Sequence, residues 1–154
     1  MGVTHSVATE VEIEASPAIV RSVFLDWNRY KEWTQVWTIS PKVEGTKPSE
    51  LKVGDNITAN LKGVAFNPVI LENSTELFKW NGVVPLLFSG AHSFYFRPSN
   101  KTPGGTTMTQ LEDFSGFLAF LMKPFWGFEK QTLTNWKQFD QDIKKESERL
   151  AAQN

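Results

Sequence analysis

The sequence predicts an α+β fold in which a curved antiparallel sheet of seven strands wraps around one long C-terminal helix. Three observations lead to it. Apolar and polar residues alternate with period two from Gln35 to Gly116, apolar residues recur with helical period in the last third of the chain, and one strand and two short helices come first. Because one face of such a sheet needs covering, a long amphipathic helix is its natural partner.

The N-terminal part predicts the first strand and two short helices. The strand is indicated by the alternating residues Val7, Thr9, Val11 and Ile13. Ser16-Pro17 predicts a helix start, because Ser is a favoured N-cap and Pro is tolerated at the first helical position. In the second short helix Trp27, Tyr30 and Trp33 are three residues apart, which places the three rings on one side.

Six strands are predicted in the central part, separated by turn-rich segments. They run near residues 37–43, 55–62, 64–72, 76–82, 89–98 and 106–115. The short connections favour antiparallel neighbours in a meander. Pro68 lies inside one of these patterns, which predicts an edge or a bulge there.

The last third of the chain predicts the long helix. Its apolar stripe recurs at spacings of three, four or their sums and consists of Phe125, Phe128, Thr132, Trp136, Phe139, Ile143 and Leu150. We place the charged residues of this segment, Asp140 among them, mostly on a separate, solvated face. Lys123-Pro124 is expected to mark the break before the helix.

The amino-acid composition limits the classes of function that we expect for the protein. The 154 residues are expected to form one domain, residues 1–154, and the net charge of -1 gives no electrostatic case for nucleic acid or an anionic membrane surface. With no Cys and 2 His, disulfides, thiolate metal sites and a multi-histidine metal site are not expected, and we expect no cofactor. No apolar stretch reaches membrane-spanning length and no secretory signal is visible, so we expect a cytoplasmic protein without an integral membrane segment.

The stretch from Ala91 to Gly116 is the most informative of the chain. It predicts two strands joined by a Pro/Gly-rich turn. Alternation gives one face the residues His92, Phe94, Phe96, Met108, Gln110, Glu112 and Phe114. A face that only fills a core would be wholly apolar, whereas this one adds an imidazole, an amide and a carboxylate. Such a mixture suits a cavity that holds a largely apolar small molecule.

His92, Gln110 and Glu112 are the candidate polar groups of that cavity. A turn near residues 101–102 places His92 opposite residues 110 to 112, within cross-strand reach. A Glu beside a His holds the imidazole tautomer and raises its basicity, so the pair would serve as general acid or base. Tyr30 is a further candidate for proton transfer. The alternative is a buried polar network that orders the sheet.

A larger set of side chains is predicted to contact the ligand, most of them aromatic. The set is Trp27, Trp33, Trp37, Phe66, Trp80, Phe94, Met108, Gln110, Phe114, Phe128, Thr132 and Trp136. Rings of this kind stack on planar ligands. For any single ring, packing in the core is the competing explanation.

Several short motifs occur in one order along nearly the whole chain. They are residues 11–33 (VEIEASPAIVRSVFLDWNRYKEW), 51–55 (LKVGD), Phe66-x-Pro68, 77–80 (LFKW), Gly90-x-His92-x-Phe94-x-Phe96, Gly105-Thr106, Glu112-x-Phe114-x-Gly116 and Gly127-Phe128-Glu129. This ordered set resembles the polyketide cyclase/dehydrase branch of the SRPBCC (START-like) superfamily. The resemblance implies a helix-grip fold with a deep hydrophobic cavity. Members include cyclases, lipid carriers, hormone receptors and chaperone co-activators, so the fold transfers better than the function.

Three hypotheses follow for a chain that binds an apolar, aromatic or polyketide-like small molecule. The first is a cofactor-independent cyclase, dehydratase or isomerase. The second is a non-catalytic carrier or sequestering protein that uses the same cavity. The third is a protein-interaction or co-chaperone-like module that uses the apolar loop from Val83 to Phe88.

Overall fold

The computed structural model describes residues 5–84, 88–116 and 128–153. Its strands are β1 (His5–Ile13), β2 (Trp37–Pro41), β3 (Ile57–Leu61), β4 (Val64–Phe66), β5 (Val69–Asn73), β6 (Leu77–Val84), β7 (Phe88–Pro98) and β8 (Thr106–Gly116). Its helices are α1 (Pro17–Leu25), α2 (Tyr30–Trp33) and α3 (Phe128–Ala151), with short 3₁₀ turns at Trp27–Arg29 and Pro48–Glu50. The break predicted at Lys123-Pro124 lies outside the described residues.

The strands form two antiparallel sheets that meet at β3 and β5. The larger sheet has the order β1-β8-β7-β6-β5, and the smaller has the order β2-β3-β4. Backbone hydrogen bonds from Ile57 N to Pro68 O and from Ile70 N to Asp55 O join the two. The predicted α+β class, with an antiparallel sheet packed on one long C-terminal helix, is confirmed.

The strand number differs from the prediction, because the described residues contain eight strands rather than seven. The single strand expected at residues 64–72 is divided into β4 and β5. Pro68 lies between them and has no N–H to donate to a ladder. At this point the chain leaves the smaller sheet and enters the larger one.

The first helix begins as predicted. Ser16 Oγ accepts a hydrogen bond from Ile19 N at 3.3 Å, and Pro17 occupies the first helical position. The second helix is a single turn, Tyr30–Trp33. Both short helices lie before β2; α1 contacts β7 and α3, whereas α2 contacts β2 and α3.

The inner face of the larger sheet packs against α1 and α3 through rings in mutual contact. The ring of Phe24 lies 4.6 Å from that of Phe94 and 5.3 Å from that of Phe78, measured between centroids. Phe139 of α3 lies 6.5 Å from Phe24, and all four rings are fully buried. This cluster holds α3 over strands β6 and β7.

Strands β7 and β8 pair in the predicted register. His92 lies opposite Glu112, and Phe94 lies opposite Gln110. His92, Phe94 and Gln110 are at most 1% exposed, so the predicted inner face of the hairpin is confirmed. The register places an imidazole and a carboxyl group side by side in the interior.

Candidate functional site

Four polar side chains form a series of contacts across the interior. The series begins at Glu112 on β8, crosses to His92 on β7, returns to β8 at Gln110 and ends at Asp140 on α3. The Nδ1 atom of His92 lies 3.7 Å from Oε2 of Glu112, and the Nε2 atom of His92 lies 3.0 Å from Oε1 of Gln110. The Nε2 atom of Gln110 donates to Oδ1 of Asp140 at 2.7 Å. We call these four residues the polar relay. It connects the sheet to the long helix at one level of the core.

Asp140 corrects the sequence analysis, which placed it on the solvated face of α3. The residue is 2% exposed. It lies four positions after Trp136 and seven before Ser147, and both of these are buried. That spacing puts Asp140 on the buried stripe of the helix. The four-residue spacing from Trp136 is the sequence signal that could have identified Asp140 as a buried residue.

Burial controls the protonation of the central pair. Loss of solvent lowers the pKa of His92 to about 3, with the Gln110 contact opposing it. Loss of solvent also raises the pKa of Glu112 to about 8, and the charge of Asp113 adds to this. At pH 7 the two groups therefore meet as a neutral imidazole and a carboxylic acid rather than as an ion pair. The expectation that Glu112 raises the basicity of His92 is wrong, because desolvation outweighs any carboxylate charge.

Asp140 is the member of the relay that carries a charge near neutral pH. Burial raises its pKa to about 6, and the hydrogen bond from Gln110 opposes that rise. Its ionised form accepts the Gln110 amide hydrogen. The relay thus runs from an ionised carboxylate at the helix to a protonated carboxyl group at the sheet.

Aromatic rings enclose the imidazole of His92. It stacks on Phe94 with a centroid distance of 4.1 Å and an interplanar angle of 10°. The rings of Trp136, Trp80 and Trp37 lie 4.7, 5.6 and 6.0 Å away. Both ring nitrogens of His92 therefore face protein groups, and the ring is enclosed.

Two glycines let side chains pack closely onto the sheet beside Glu112. Gly82 and Gly90 are cross-strand partners near the ends of β6 and β7. A Cβ atom on Gly90 would lie 2.7 Å from Oε1 of Glu112, and one on Gly82 would lie 3.2 Å from the Phe66 ring. We call these two positions the glycine recess; the side chains of Glu112 and Phe66 occupy the room that the missing side chains leave. The side chain of Glu112 is 16% exposed and that of His92 only 1%, so Glu112 is the more accessible of the pair.

Trp37 brings a hydrogen-bond donor close to the same region. Its ring lies 5.5 Å from Trp80 and 6.2 Å from Phe66. In the part of the chain that the structure describes, the buried Nε1–H of Trp37 has no hydrogen-bond partner. Leaving a buried donor without a partner costs about 1–3 kcal/mol. An acceptor atom on a bound ligand would remove that cost.

Three other predicted site residues lie away from the polar relay. Tyr30, the candidate for proton transfer, is 2% exposed, and its hydroxyl group donates to the carbonyl oxygen of Phe24. Trp33 packs on Tyr30 at 4.7 Å, and Trp27 is 6% exposed. None of the contacts described for these three reaches His92. Tyr30 therefore does not join the polar relay, because its proton is committed to the backbone.

The remaining predicted residues divide between the two ends of the sheet. Met108 is fully buried in the apolar part of the inner face. Phe114 and Trp136 belong to a second buried cluster, which lies next to the relay. Thr132 is half-buried on the turn of α3 before Trp136. Phe128 is the first residue of α3, and its side chain lies outside the described part.

A model for polyketide cyclase/dehydrase and lipid transport proteins matches residues 4–152 of this sequence. The chain belongs to this family. No curated protein matches the sequence.

Solved structures agree with the family's fold. A hypothetical protein, jhp0584, from Helicobacter pylori has a TM-score of 0.74 at 13% identity, over 94% of this chain and 89% of that one. A START superfamily protein from Mycobacterium smegmatis has a TM-score of 0.64 at 16% identity, over 95% and 99%. A point mutant of norcoclaurine synthase from Thalictrum flavum, in complex with a transition-state analogue, has a TM-score of 0.62 at 10% identity, over 93% of each chain. At these identities the likeness shows the fold alone.

Other features of this cyclase/dehydrase-family chain bear on the site. Among the described residues, no group of three or more His, Asp or Glu side chains is placed to hold a metal ion. No helix in the described ranges is long and apolar enough to cross a membrane. Residues 85–87 of the predicted interaction loop lie outside the described part, and Val83 before them is 52% exposed.

Two clefts on the outer surface of this family member border other predicted residues. One, of about 500 Å³, is lined by Trp33 together with Lys31 and Lys62. The other, of about 470 Å³, is lined by Trp27 and Lys42. Both are open and partly charged. They lack the enclosed, ring-lined character of the region around the polar relay.

Proposed function

We propose that this chain binds an uncharged, largely apolar small molecule, aromatic or polyketide-like, at the glycine recess. We further propose that it acts there as a cofactor-independent cyclase, dehydratase or isomerase with Glu112 as the acid. One observation carries the proposal. Glu112 is a carboxyl group with its pKa raised to about 8, it packs closely against Gly90, and it stands in a ring-rich interior.

The rings favour a flat apolar ligand. Trp37, Phe66 and Trp80 contact one another edge to face, with centroid distances between 5.5 and 6.5 Å. Such rings offer faces and edges on which a planar molecule stacks. The buried Nε1–H of Trp37 and the acid proton of Glu112 are two donors, which suits a ligand with carbonyl or hydroxyl oxygens.

The charges of the relay favour a ligand without negative charge. Its titratable members at pH 7 are a protonated Glu112, a neutral His92 and an ionised Asp140. None of the three supplies a positive charge to pair with an anion. Moving an anion into such a region without a partner costs several kcal/mol. An uncharged carbonyl compound meets no such cost.

The chemistry requires one acid and no cofactor. Glu112 donates its proton to a carbonyl or hydroxyl oxygen of the ligand, and the carboxylate that remains takes a proton from a neighbouring carbon. The net result is an isomerisation or, where the protonated hydroxyl leaves as water, a dehydration. A proton donor with a pKa near the working pH is well suited to such a step. Holding the ligand in a folded shape would favour cyclisation by proximity.

A matched pair of ligands tests the binding step. 2-Acetylnaphthalene and 2-naphthoate have the same ring system, but only the second is an anion at pH 7. We expect 2-acetylnaphthalene to quench tryptophan fluorescence and to bind on the order of tenfold more tightly or better. Equal affinities would overturn the charge argument. Binding of neither ligand to a folded protein would count against the recess as the site.

Glu112→Gln separates an enzyme from a carrier. The amide keeps a donor but has no acid proton to transfer. Affinity for 2-acetylnaphthalene should therefore change little, whereas conversion of a ligand that co-purifies with the protein should be lost. Native mass spectrometry followed by denaturing extraction identifies such a ligand. If the wild-type protein returns the extracted molecule unchanged, the carrier hypothesis replaces the enzyme.

A further inference from the structure

Gln110 and Asp140 are relay residues that the proposed chemistry does not use directly. Gln110 is fully buried, and Asp140 is 2% exposed. The Nε2 atom of Gln110 lies 2.7 Å from Oδ1 of Asp140 and 3.3 Å from the carbonyl oxygen of Trp136. An ionised carboxylate and a backbone carbonyl only accept hydrogen bonds. The NH₂ group of Gln110 must therefore point to α3.

That orientation of the Gln110 amide determines which ring nitrogen of His92 carries the hydrogen. With its NH₂ group toward α3, Gln110 presents Oε1 to Nε2 of His92 at 3.0 Å. An amide oxygen only accepts, so Nε2 of the neutral imidazole must carry the hydrogen. The lone pair is then on Nδ1, which lies 3.7 Å from Oε2 of Glu112. A lone pair facing a carboxyl group favours its protonated form, since a carboxylate would be repelled.

We propose that Asp140 is a positioning residue that fixes the Nε2–H tautomer of His92 through the Gln110 amide and thereby keeps Glu112 a proton donor. The contribution to chemistry rests on the proposed function, whereas the tautomer itself does not. If the Gln110 amide turned over, its NH₂ group would donate to Nε2 of His92. The hydrogen would then move to Nδ1 and stabilise Glu112 as a carboxylate. Asp140 prevents this by holding the amide hydrogens at the helix.

The test is the ¹⁵N NMR spectrum of imidazole-labelled protein without ligand, near neutral pH. His5 is the other histidine of the chain, so a His5→Gln background leaves His92 as the one imidazole signal. We expect a protonated Nε2 and an unprotonated Nδ1. A hydrogen on Nδ1, a rapidly exchanging mixture, or an imidazolium in this protein would overturn the proposal.

Two substitutions separate the positioning role from simple packing. Asp140→Asn keeps an oxygen that accepts the Gln110 amide hydrogen, so the Nε2–H tautomer should persist. Asp140→Leu removes that acceptor, and the ratio of Nδ1–H to Nε2–H should rise about fivefold, as the loss of one hydrogen bond predicts. An unchanged ratio in a folded Asp140→Leu protein would show that Asp140 has no such role.

A third substitution covers the case in which Asp140→Leu does not fold. Gln110→Met removes the acceptor for Nε2 and should shift the same ratio in the same direction; an unchanged ratio would again contradict the proposal. The proposed tautomer and the proposed function can be contradicted independently of each other. A wrong tautomer leaves the binding of 2-acetylnaphthalene untouched, and absence of that binding leaves the tautomer measurement valid.

Discussion

Replacing Glu112 by Gln is expected to stabilise the protein, although it removes the proposed acid. The folded state keeps Glu112 protonated up to a pKa of about 8, whereas the unfolded chain releases this proton near 4.5. Each pKa unit corresponds to about 1.4 kcal/mol, so at pH 7 the raised pKa lowers the free energy of unfolding by about 3 kcal/mol. The side chain is 16% exposed, which makes this an upper value. The Glu112→Gln substitution should recover most of this lost free energy of unfolding.

The sign of the effect gives it a characteristic pH dependence. Because the pKa is raised on folding, the folded state holds a proton that the unfolded chain loses above pH 4.5. The contribution of Glu112 to wild-type stability should therefore fall as pH rises from 4.5 to about 8. The difference between Glu112→Gln and wild type should be small below that window, grow through it, and level off above it.

Urea denaturation at several pH values measures this difference. Glu10→Gln is a matched control, since Glu10 is an exposed carboxylate on the neighbouring strand β1. Surface changes of this kind are usually within about 0.5 kcal/mol and should show no such pH dependence. If Glu112→Gln is as stable as wild type from pH 4.5 to 8, or less stable at the upper end, then Glu112 is not a buried neutral acid and the proposed chemistry loses its basis.

Three further substitutions test the site and the core. Gly90→Ala places a Cβ atom 2.7 Å from Oε1 of Glu112, so it should cost about 1–3 kcal/mol and weaken binding of 2-acetylnaphthalene. Gly82→Ala meets the Phe66 ring at 3.2 Å and the carbonyl oxygen of Gly90 at 3.9 Å, and a loss as large as that of Gly90→Ala would argue against a specific displacement of the carboxyl group. Phe139→Ala removes a fully buried ring between α3 and the sheet and should cost about 3–5 kcal/mol in urea denaturation; a loss below 1 kcal/mol would contradict the packing described for α3.

The hairpin of β7 and β8 was predictable from sequence because its determinants are local. The turn-rich segment near residues 101–102 and the alternation on each side limit the register, so a partner for His92 between residues 110 and 112 follows from counting, and the structure has Glu112 there. Pro68 was also informative, since a residue without an N–H interrupts a ladder wherever it falls inside one. Its full consequence, a change from one sheet to the other, depends on tertiary packing and was not predictable.

The protonation of the site was not predictable, because it depends on burial rather than on neighbours in sequence. A Glu opposite a His suggests an ion pair, yet both groups are neutral at pH 7 once water is removed. Asp140 was missed for a related reason. Its charge suggested a solvated face, whereas Gln110 supplies the hydrogen bond that lets the carboxylate remain in the interior.

The cost of the neutral pair argues for a role beyond ordering the sheet. Eleven backbone pairs already hold β7 against β8, so the register does not depend on His92 or Glu112. Keeping His92 neutral destabilises the fold below about pH 6.5, and keeping Glu112 protonated destabilises it above about pH 4.5, so no pH removes both costs. Uncharged side chains would order the same strands without either cost. Under the proposed function these two costs provide a proton donor packed against Gly90, which a sheet that needed only order would not require.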